Sequence, residues 1–324
     1  MEVQLKQQNN FVIPESQIIS HNNPFIEANT KEVSLKHLEN KCTIPVFSKD
    51  NECTIAHHEF INTTYESVKS IFSGHNIMQP DIRTSHIVKG RIPSAIGKPV
   101  KDLIETDKTI YYERMMFKID IPNITTEING NKLNLVVAGV RAYNKENLYS
   151  KKSLEKFTIC IGFKNLVCTN LCVSSDGSVA ELKVSNADEL KAKVLEVIGN
   201  YEMQSHIKLL EQLPDYTITE KQFAQFIGRC RLYNYLPKVE KNGIPELLLN
   251  DGQIGAISKG YYEDENFCRN DNGDINLWSV YNLLTGANKS SYIDTFLNRS
   301  VNAHELIQNL ANSLQTKKPI WYLN

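Results

Sequence analysis

Alternating apolar and polar side chains mark the middle of the chain as β structure. Between Thr109 and Ile121 the alternation is regular, with Tyr111, Met115, Phe117, Ile119 and Ile121 on one face and Tyr112, Arg114, Lys118 and Asp120 on the other. Asn129-Gly130 follows, a pair that favours a two-residue hairpin turn. Residues 133–143 are apolar on both faces, which is typical of a central strand, and alternation resumes after residue 156. The pattern predicts an antiparallel sheet of at least four strands within residues 109–184.

The second half of the chain changes to helical periodicity. Three pairs have the spacing of a capping box, in which a side chain and a residue three positions later satisfy each other's backbone amides. They are Asn186 with Glu189, Thr219 with Gln222, and Asn302 with Glu305. Apolar stripes spaced three and four residues apart follow each pair. The chain is therefore predicted to be an α+β protein, with an antiparallel central sheet followed by a mainly helical C-terminal half.

The domain organisation follows from these patterns and from the less regular start of the chain. Residues 1–30 are rich in Asn, Gln and Ser and are predicted to form a loose arm. Residues 31–237 are predicted to form one α+β domain, with the sheet at 109–184 and helices to 237. Within it, short strands are predicted at 33–38, 43–48 and 53–61, before a helix at 64–74. Residues 238–324 are predicted to be a helical subdomain packed on that domain.

One predicted helix carries a distinctive face. Asp274 is placed as its N-cap and Gly286 as its exit residue. Two aromatic rings, an amide and a hydroxyl share one face at helical spacing, namely Trp278, Tyr281, Asn282 and Thr285. Such a stripe is either core packing or a surface on which a ligand stacks, and packing is the commoner outcome. The burial of Trp278 decides between them.

Composition limits the classes of function. With 41% hydrophobic and 23% charged residues, the chain has the balance of an ordinary soluble protein. It has neither an apolar run of membrane-spanning length nor a secretory signal, and its seven cysteines form no paired pattern. We therefore predict a cytoplasmic protein with no membrane partner. The sequence specifies no oligomeric state, and an oligomer is compatible with it.

The net charge of −1 hides an uneven distribution. Basic residues gather between 81 and 101, on one face of the strand that contains Arg114, and around Tyr149. Lysines and arginines bind phosphates, and aromatic rings stack on bases, so this combination is typical of proteins that bind single strands. The predicted nucleic-acid-binding residues are Arg83, Lys89, Arg91, Tyr112, Arg114, Lys118, Lys145, Tyr149, Lys151 and Lys152. DNA, single-stranded in preference, is therefore the first predicted partner, for binding or for annealing.

A protein partner is the alternative interpretation. The acidic stretch from Glu263 to Asp274 follows Tyr261 and Tyr262, and aromatic side chains are enriched in protein interfaces. On this hypothesis the chain binds a host protein, as an anti-defence interaction module.

An enzyme is the least favoured hypothesis. Five carboxylates could hold magnesium for a nuclease: Asp264, Glu265, Asp271, Asp274 and Asp294. No phosphate-binding loop, nucleophile motif or metal-ligand spacing accompanies them. Cys42, Cys53, His57 and His58 likewise match no zinc spacing. We predict no catalytic residues, no cofactor and no metal.

Several strings resemble a known family over nearly the whole chain. They are Lys89-Gly90-Arg91-Ile92-Pro93, Tyr111 to Phe117, Gly162 to Cys168, Thr219 to Arg229, and Asn276-Leu277-Trp278 through Asp294. The family is an uncharacterised one of bacterial phages, plasmids and conjugative elements, domain-of-unknown-function family 3871. More distantly the chain is similar to the 932 group, in which Cys168-Thr169-Asn170, Tyr281-Asn282 and Thr285 correspond to the recognisable core. The resemblance carries no catalytic residues, and its mobile-element context implies DNA metabolism or interference with host defence.

Overall fold

An antiparallel sheet precedes a mainly helical half, and the predicted α+β class is confirmed. A computed structural model of the protein describes residues 24–42, 55–95, 97–146, 154–173 and 179–324. In chain order the strands are β1 (Lys31–Glu32), β2 (Asp81–Thr84), β3 (Ile87–Arg91), β4 (Lys108–Tyr112), β5 (Arg114–Ile128), β6 (Asn131–Ala142), β7 (Glu155–Asn165), β8 (Leu171–Cys172), β9 (Val179–Val184), β10 (Thr217–Ile218) and β11 (Ile275–Asn276). The helices are α1 (Leu35–Lys41), α2 (His57–Ile71), α3 (Ala187–Gly199), α4 (Met203–Glu211), α5 (Glu220–Tyr235), α6 (Asp251–Glu263), α7 (Leu277–Asn288) and α8 (Ile293–Thr316).

Seven of the strands form the main sheet, in the order β1-β2-β5-β6-β7-β8, and β9 pairs with β7 beside β8. The long hairpin of β5 and β6 is its centre. Asn129 and Gly130 connect these two strands with φ angles of 50° and 76°, so both residues are left-handed, as a type I′ turn requires. The hairpin predicted from Asn129-Gly130 is therefore confirmed. β3 and β4 pair only with each other, and β10 pairs with β11.

The sheet is covered on both faces. On the first face the apolar side chains of β5, β6 and β7 pack with the helices into one large core. The second face has a smaller apolar cluster, which is closed by the start of α8 and by Phe25 and Ile26. Because both faces are covered, β6 is buried from Leu133 to Ala142, as a central strand should be.

Gly139 allows the first face to pack closely. It lies opposite Phe117 in the register of β5 and β6. A Cβ atom at Gly139 would lie 2.5 Å from the ring of Phe117 and 2.8 Å from the ring of Phe60. Those two rings meet edge to face, with centroids 5.2 Å apart. The absent side chain therefore makes room for the aromatic pair that joins α2 to the sheet.

Residues 24–32 form a segment that we call the N-terminal strap. Phe25 and Ile26 are buried in the smaller apolar cluster, and the amide of Glu27 donates to the carbonyl of Lys289 over 2.8 Å. Residues 31–32 then add β1 to the edge of β2. Residues 24–30, which the sequence assigned to a loose arm, are thus attached to the sheet, while residues 1–23 lie outside the described ranges.

Two strands predicted near the N-terminus are wrong. Residues 35–41 form α1, whose N-cap Ser34 accepts a hydrogen bond from the amide of His37. Residues 57–71 form α2, whose buried Phe60, Thr64 and Val68 share one helical face. Short apolar runs do not distinguish a strand from a helix by themselves, and the covering of the sheet favours the helix here. The strand predicted at 43–48 lies outside the described residues.

The strand predicted over residues 109–121 is interrupted at Glu113. β4 ends at Tyr112 and pairs with β3, whereas β5 begins at Arg114 and enters the main sheet. This change of partner breaks the alternation, so Tyr112 belongs to the same core cluster as Met115 and Phe117. The predicted sharing of a polar face by Tyr112 and Arg114 is therefore wrong.

The boundaries of α7 also differ from the prediction. Its N-cap is Asn276, whose side chain accepts from the amide of Ser279 over 2.8 Å, and Gly286 lies inside the helix. Residues 275–276 are extended because they pair with β10, so the helix cannot begin at Asp274. Within the described ranges, no helix is long and apolar enough to cross a lipid bilayer.

Candidate nucleic-acid interface

β3 and β4 form a two-stranded ribbon that carries part of the basic stretch between residues 81 and 101. Lys89 is exposed and Arg91 half-buried, and Arg91 donates from its guanidinium to the carbonyl of Lys98 in the loop between the strands. That loop exposes Lys101, and it also exposes Val100 and Ile104, which are 76% and 61% accessible. The ribbon and its loop therefore combine basic and apolar groups on one accessible surface.

Carboxylates offset part of this charge. Asp107 accepts from Nζ of Lys98 at 2.9 Å, and Glu105 pairs with Lys108. Hydrogen bonding to Lys98 and to the amide of Ile104 lowers the pKa of Asp107. From Ile87 to Tyr112 the ribbon and loop carry five bases and three acids, so a positive surplus remains.

Three of the predicted basic residues lie on the second face of the main sheet. The register places Arg83 opposite Met116 and Asp81 opposite Lys118, and Arg114 lies on the same face of β5. Each of the three bases has an acidic neighbour. Arg83 lies 3.7 Å from a carboxylate oxygen of Glu32 in the strap, and Arg114 lies 3.4 Å from carboxylates of Glu113 and Asp294. The structure brings these three basic side chains together, but neighbouring carboxylates neutralise their charges.

Lys118 is the clearest correction among the predicted binding residues. It is only 8% exposed, and its Nζ lies 2.6 Å from Asp120 and 3.2 Å from Asp81. Burial alone would lower the pKa of Lys118, but the two carboxylates hold it above its ordinary value. Lys164 adds a second lysine to Asp120 at 2.8 Å. Lys118 is thus an internal ion-pair residue and is inaccessible to a phosphate.

Tyr112 is also removed from the predicted interface. Its ring is buried in the main core, and its hydroxyl lies 3.0 Å from Nε2 of His37. Its carbonyl oxygen lies 2.8 Å from Nε2 of His57, a second buried ring. A side chain held in this way cannot stack on a base, because both faces of the ring are covered by protein.

One end of the main sheet collects several elements, and we call it the ribbon end. The amide of Ser85 donates to the carbonyl of Arg114 over 3.0 Å, and the amide of Tyr143 donates to the carbonyl of Glu113 over 2.9 Å. These bonds place the start of the ribbon beside the end of β6. Residues 143–145 follow β6, so Lys145 reaches the same end of the sheet as the ribbon.

Asp294, in the first turn of α8, joins the ribbon end to the helical half. Its carboxylate accepts from Nδ2 of Asn144 at 3.0 Å and lies 3.4 Å from Nε of Arg114. Its carbonyl accepts from Nζ of Lys145. This carboxylate is therefore a structural link between α8 and β5, and it is not available for the magnesium site that the sequence suggested.

A cleft of about 570 Å³ opens at the ribbon end. Its walls are Ala28, Asn29 and Thr30 of the strap, Ser85 and His86 between β2 and β3, Arg114, and Tyr292 and Ile293 at the start of α8. Tyr292 is 57% exposed, and its ring centroid lies 5.9 Å from Cζ of Arg114. Tyr292 and His86 are not among the binding residues predicted from the sequence. Tyr292 is the N-cap of α8 but makes no side-chain capping hydrogen bond, so no capping signal in the sequence marks this position.

Arg141 fixes the ends of the segment that contains the remaining predicted residues. Its fully buried guanidinium donates to Glu146, Glu155 and the carbonyl of Ile55, and it lies over the rings of Tyr143 and Phe157. Glu146 and Glu155 are therefore held close together by one side chain. Tyr149, Lys151 and Lys152 lie between them, outside the described residues.

The polar face of α7 is internal. Trp278, Tyr281, Asn282 and Thr285 are all buried, so this helix is a core element and its rings are inaccessible to a base. Asn282 accepts from Nδ2 of Asn165 at 3.1 Å, and its carbonyl accepts from Nδ2 of Asn170 at 2.9 Å. The amides thus attach the turn that contains Cys168-Thr169-Asn170 to α7.

The acidic stretch after α6 is organised by its own hydrogen bonds. Asp264 accepts from the amides of Asn266 and Phe267, and Asp274 forms part of the tight turn at Gly273. Tyr261 is buried and stacks on Phe223 with ring centroids 4.1 Å apart, so it cannot contact a partner protein. Among the residues that the structure describes, no group of three or more His, Cys, Asp and Glu could hold a metal ion.

These observations define an α+β protein with an accessible basic ribbon of two strands beside a cleft at one end of a sheet that is covered on both faces. Residues 6–323 match the family model described as "Domain of unknown function, B. Theta Gene description (DUF3871)", and the chain belongs to that family. No curated protein and no solved structure matches the chain at a significant level.

Proposed function

We propose that the protein binds single-stranded nucleic acid, DNA in preference, along the ribbon end of the sheet, as an accessory protein of a phage or another mobile element. The observation that carries the proposal is the β3–β4 ribbon, in which Lys89 and Lys101 are exposed beside apolar side chains. Lysines on such a surface attract the phosphate backbone and release its counterions on binding.

The apolar side chains favour a single strand over a duplex. Ile87, Val100 and Ile104 are exposed on the ribbon and its loop, which also carry the exposed lysines. In a duplex the faces of the nucleobases are covered by stacking, whereas in a single strand they are open to apolar and aromatic contact. A surface that combines lysines with apolar groups gains more from an open strand, because it contacts both the phosphates and the bases.

Lys145 extends this surface across the ribbon end. It lies on the short turn after β6, and its Nζ reaches the carbonyl of Asp294 at the start of α8. Lys145 is thus exposed at the same end of the sheet as the ribbon. Lys151 and Lys152 follow Lys145 closely in the sequence, and they remain part of the proposal on that ground alone.

The test is the fluorescence anisotropy of a labelled 30-nucleotide single strand, with a duplex of equal length, titrated at several salt concentrations. We expect a steep loss of affinity with salt and weaker binding of the duplex. Replacing both Lys89 and Lys101 by Ala should reduce the slope of log affinity against log salt by about 0.7 for each lysine that contacts a phosphate.

The matched control replaces Lys208 and Lys221 by Ala, since both are exposed lysines on α4 and α5, away from the ribbon. It should leave both affinity and slope unchanged. Arg91 is not used in the test, because its guanidinium holds the ribbon loop and its loss would change more than charge. The proposal is wrong if no binding occurs at low salt, or if both double variants lose affinity equally.

A further inference from the structure

The cleft at the ribbon end has the dimensions and chemistry of a site for one unpaired nucleobase. Its volume of about 570 Å³ lies within the usual range of small-ligand sites. We propose that this cleft holds a single nucleobase with its sugar, stacked on Tyr292. Continuity with a bound strand rests on the proposed function, but the cleft itself can be tested with a free nucleotide.

Tyr292 and Arg114 provide the stacking surfaces. The Tyr292 ring is more than half exposed although it stands beside the buried Ile293, and the Arg114 guanidinium lies 5.9 Å from its centroid. A guanidinium and a phenol ring are both planar, and each stacks on a nucleobase. Arg114 is held in place by Glu113 and Asp294, so its orientation is set before a ligand arrives.

The two carboxylates also decide which part of a nucleotide the cleft recognises. Glu113 and Asp294 offset the charge of Arg114, so a phosphate gains little at that guanidinium. A neutral nucleobase can bind without the positive charge of Arg114, because stacking and hydrogen bonds along its edge hold it.

Polar groups around the cleft can bind the edge of a base. Asn29 and Thr30 come from the strap, and Ser85 and His86 from the turn between β2 and β3. Ser85 is itself fixed, since its Oγ accepts from the amide of Arg114 over 3.1 Å. Asn29 has a φ of 47°, which turns the strap at the wall of the cleft. A fixed hydroxyl, an amide and an imidazole around an aromatic floor are suited to a heterocycle.

The experiment is calorimetric titration of the full-length protein with adenosine 5′-monophosphate, and separately with adenosine. We expect both to bind with similar affinity, because the base carries the recognition. Tyr292→Ala should weaken binding at least about five-fold, and Tyr292→Phe should retain it, because the ring and not the hydroxyl stacks. Thermal unfolding of each variant confirms that it is folded, as expected for an exposed side chain.

Tyr235→Ala is the matched control, since Tyr235 is an exposed tyrosine at the end of α5, 76% accessible, and should leave nucleotide binding unchanged. The site is disproved if neither nucleotide nor nucleoside binds at millimolar concentration, or if Tyr292→Ala binds as well as the unmodified protein. Binding of adenosine monophosphate without any binding of the 30-nucleotide strand would support the cleft and contradict the strand proposal. Strand binding could instead depend on Lys89 and Lys101 while Tyr292→Ala changes neither strand nor nucleotide binding. That result would support the strand proposal and contradict the cleft.

Discussion

Nε1 of Trp278 donates to Oδ1 of Asn131 over 2.6 Å, and this bond joins residues that are 147 positions apart. Asn131 is the first residue after the Asn129-Gly130 turn, and Trp278 is the largest fully buried side chain of the C-terminal helices. The hairpin of the sheet and the helical half are thus joined by a part-buried polar contact. A boundary drawn between them by sequence would divide a continuous core.

We expect Trp278→Phe to destabilise the protein by about 2 kcal/mol, because it removes this hydrogen bond and leaves a cavity. Denaturant unfolding measures the change. Trp321→Phe is the control, since Trp321 is only partly buried, and it should cost less. An equal loss of unfolding free energy in the two variants would contradict the stabilising role of the Trp278–Asn131 hydrogen bond.

Gly139→Ala should destabilise the protein by about 1–3 kcal/mol, because the added methyl group would overlap the rings of Phe117 and Phe60. Gly228→Ala should have the opposite effect on stability. Gly228 lies in α5 with nothing within 4 Å of the new methyl group, and alanine there should stabilise by about 0.5–1 kcal/mol. Thermal melts of the two variants should therefore shift in opposite directions, and a shift of both in the same direction would refute the packing argument.

Two buried histidines should make the stability fall with acid. Burial lowers the pKa of His57 and of His206 from 6.5 to about 3, with added repulsion from Arg141 and from His304 respectively. Between pH 6.5 and about pH 3, each of these histidines is protonated in the unfolded chain and neutral in the folded chain. The free energy of unfolding therefore has its full value above pH 6.5 and declines as the pH falls below it. Each histidine should contribute about 1.4 kcal/mol per pH unit to this decline.

Chemical denaturation at pH 7, 6 and 5 measures the slope of unfolding free energy against pH. His206→Gln should make the slope shallower, since glutamine carries no charge at any of these values. His75→Gln, at an exposed position, should leave the slope unchanged. An unaltered slope in the His206 variant would mean that this histidine is protonated in the folded chain.

Arg141→Met should cost about 3–5 kcal/mol, because it removes the cation that pairs with Glu146 and Glu155 and leaves the carbonyl of Ile55 without this donor. Burial already raises the pKa of Glu155, even with the arginine present to oppose it. Adding Glu155→Gln to Arg141→Met should therefore recover part of the loss, and a double-mutant cycle from unfolding curves measures the coupling. Strict additivity of the two changes would contradict a direct interaction.

The sequence predicts most of the sheet because its signals are local. The Asn129-Gly130 turn and the alternation along β5 depend only on neighbouring residues. The interruption at Glu113 could not be predicted, since it reflects a change of pairing partners, from β3 on one side of Glu113 to β2 and β6 on the other. The short apolar run around Phe60 is compatible with both strand and helix, and only the sheet that it covers selects the helix.

The candidate site was predictable only in its charges. Lys118 and Arg114 carry the expected basic groups, but Asp81 and Asp294, which neutralise them, are distant in the sequence or belong to another element. Pairing across the fold therefore decides which lysines remain accessible. Tyr292 shows the opposite case, because its exposure beside Arg114 arises from the meeting of α8 with the sheet.

The hydrogen bonds from Arg141 to Glu146 and Glu155 bear on how far the connection between these two residues can change in length. The separation of these two residues is set by one side chain and not by the eight residues that connect them in the sequence. Lengthening that connection costs only a slowly growing loop-closure entropy. Insertions there should be tolerated by the sheet, which makes this the position of choice for a peptide tag or for inherited variation between relatives.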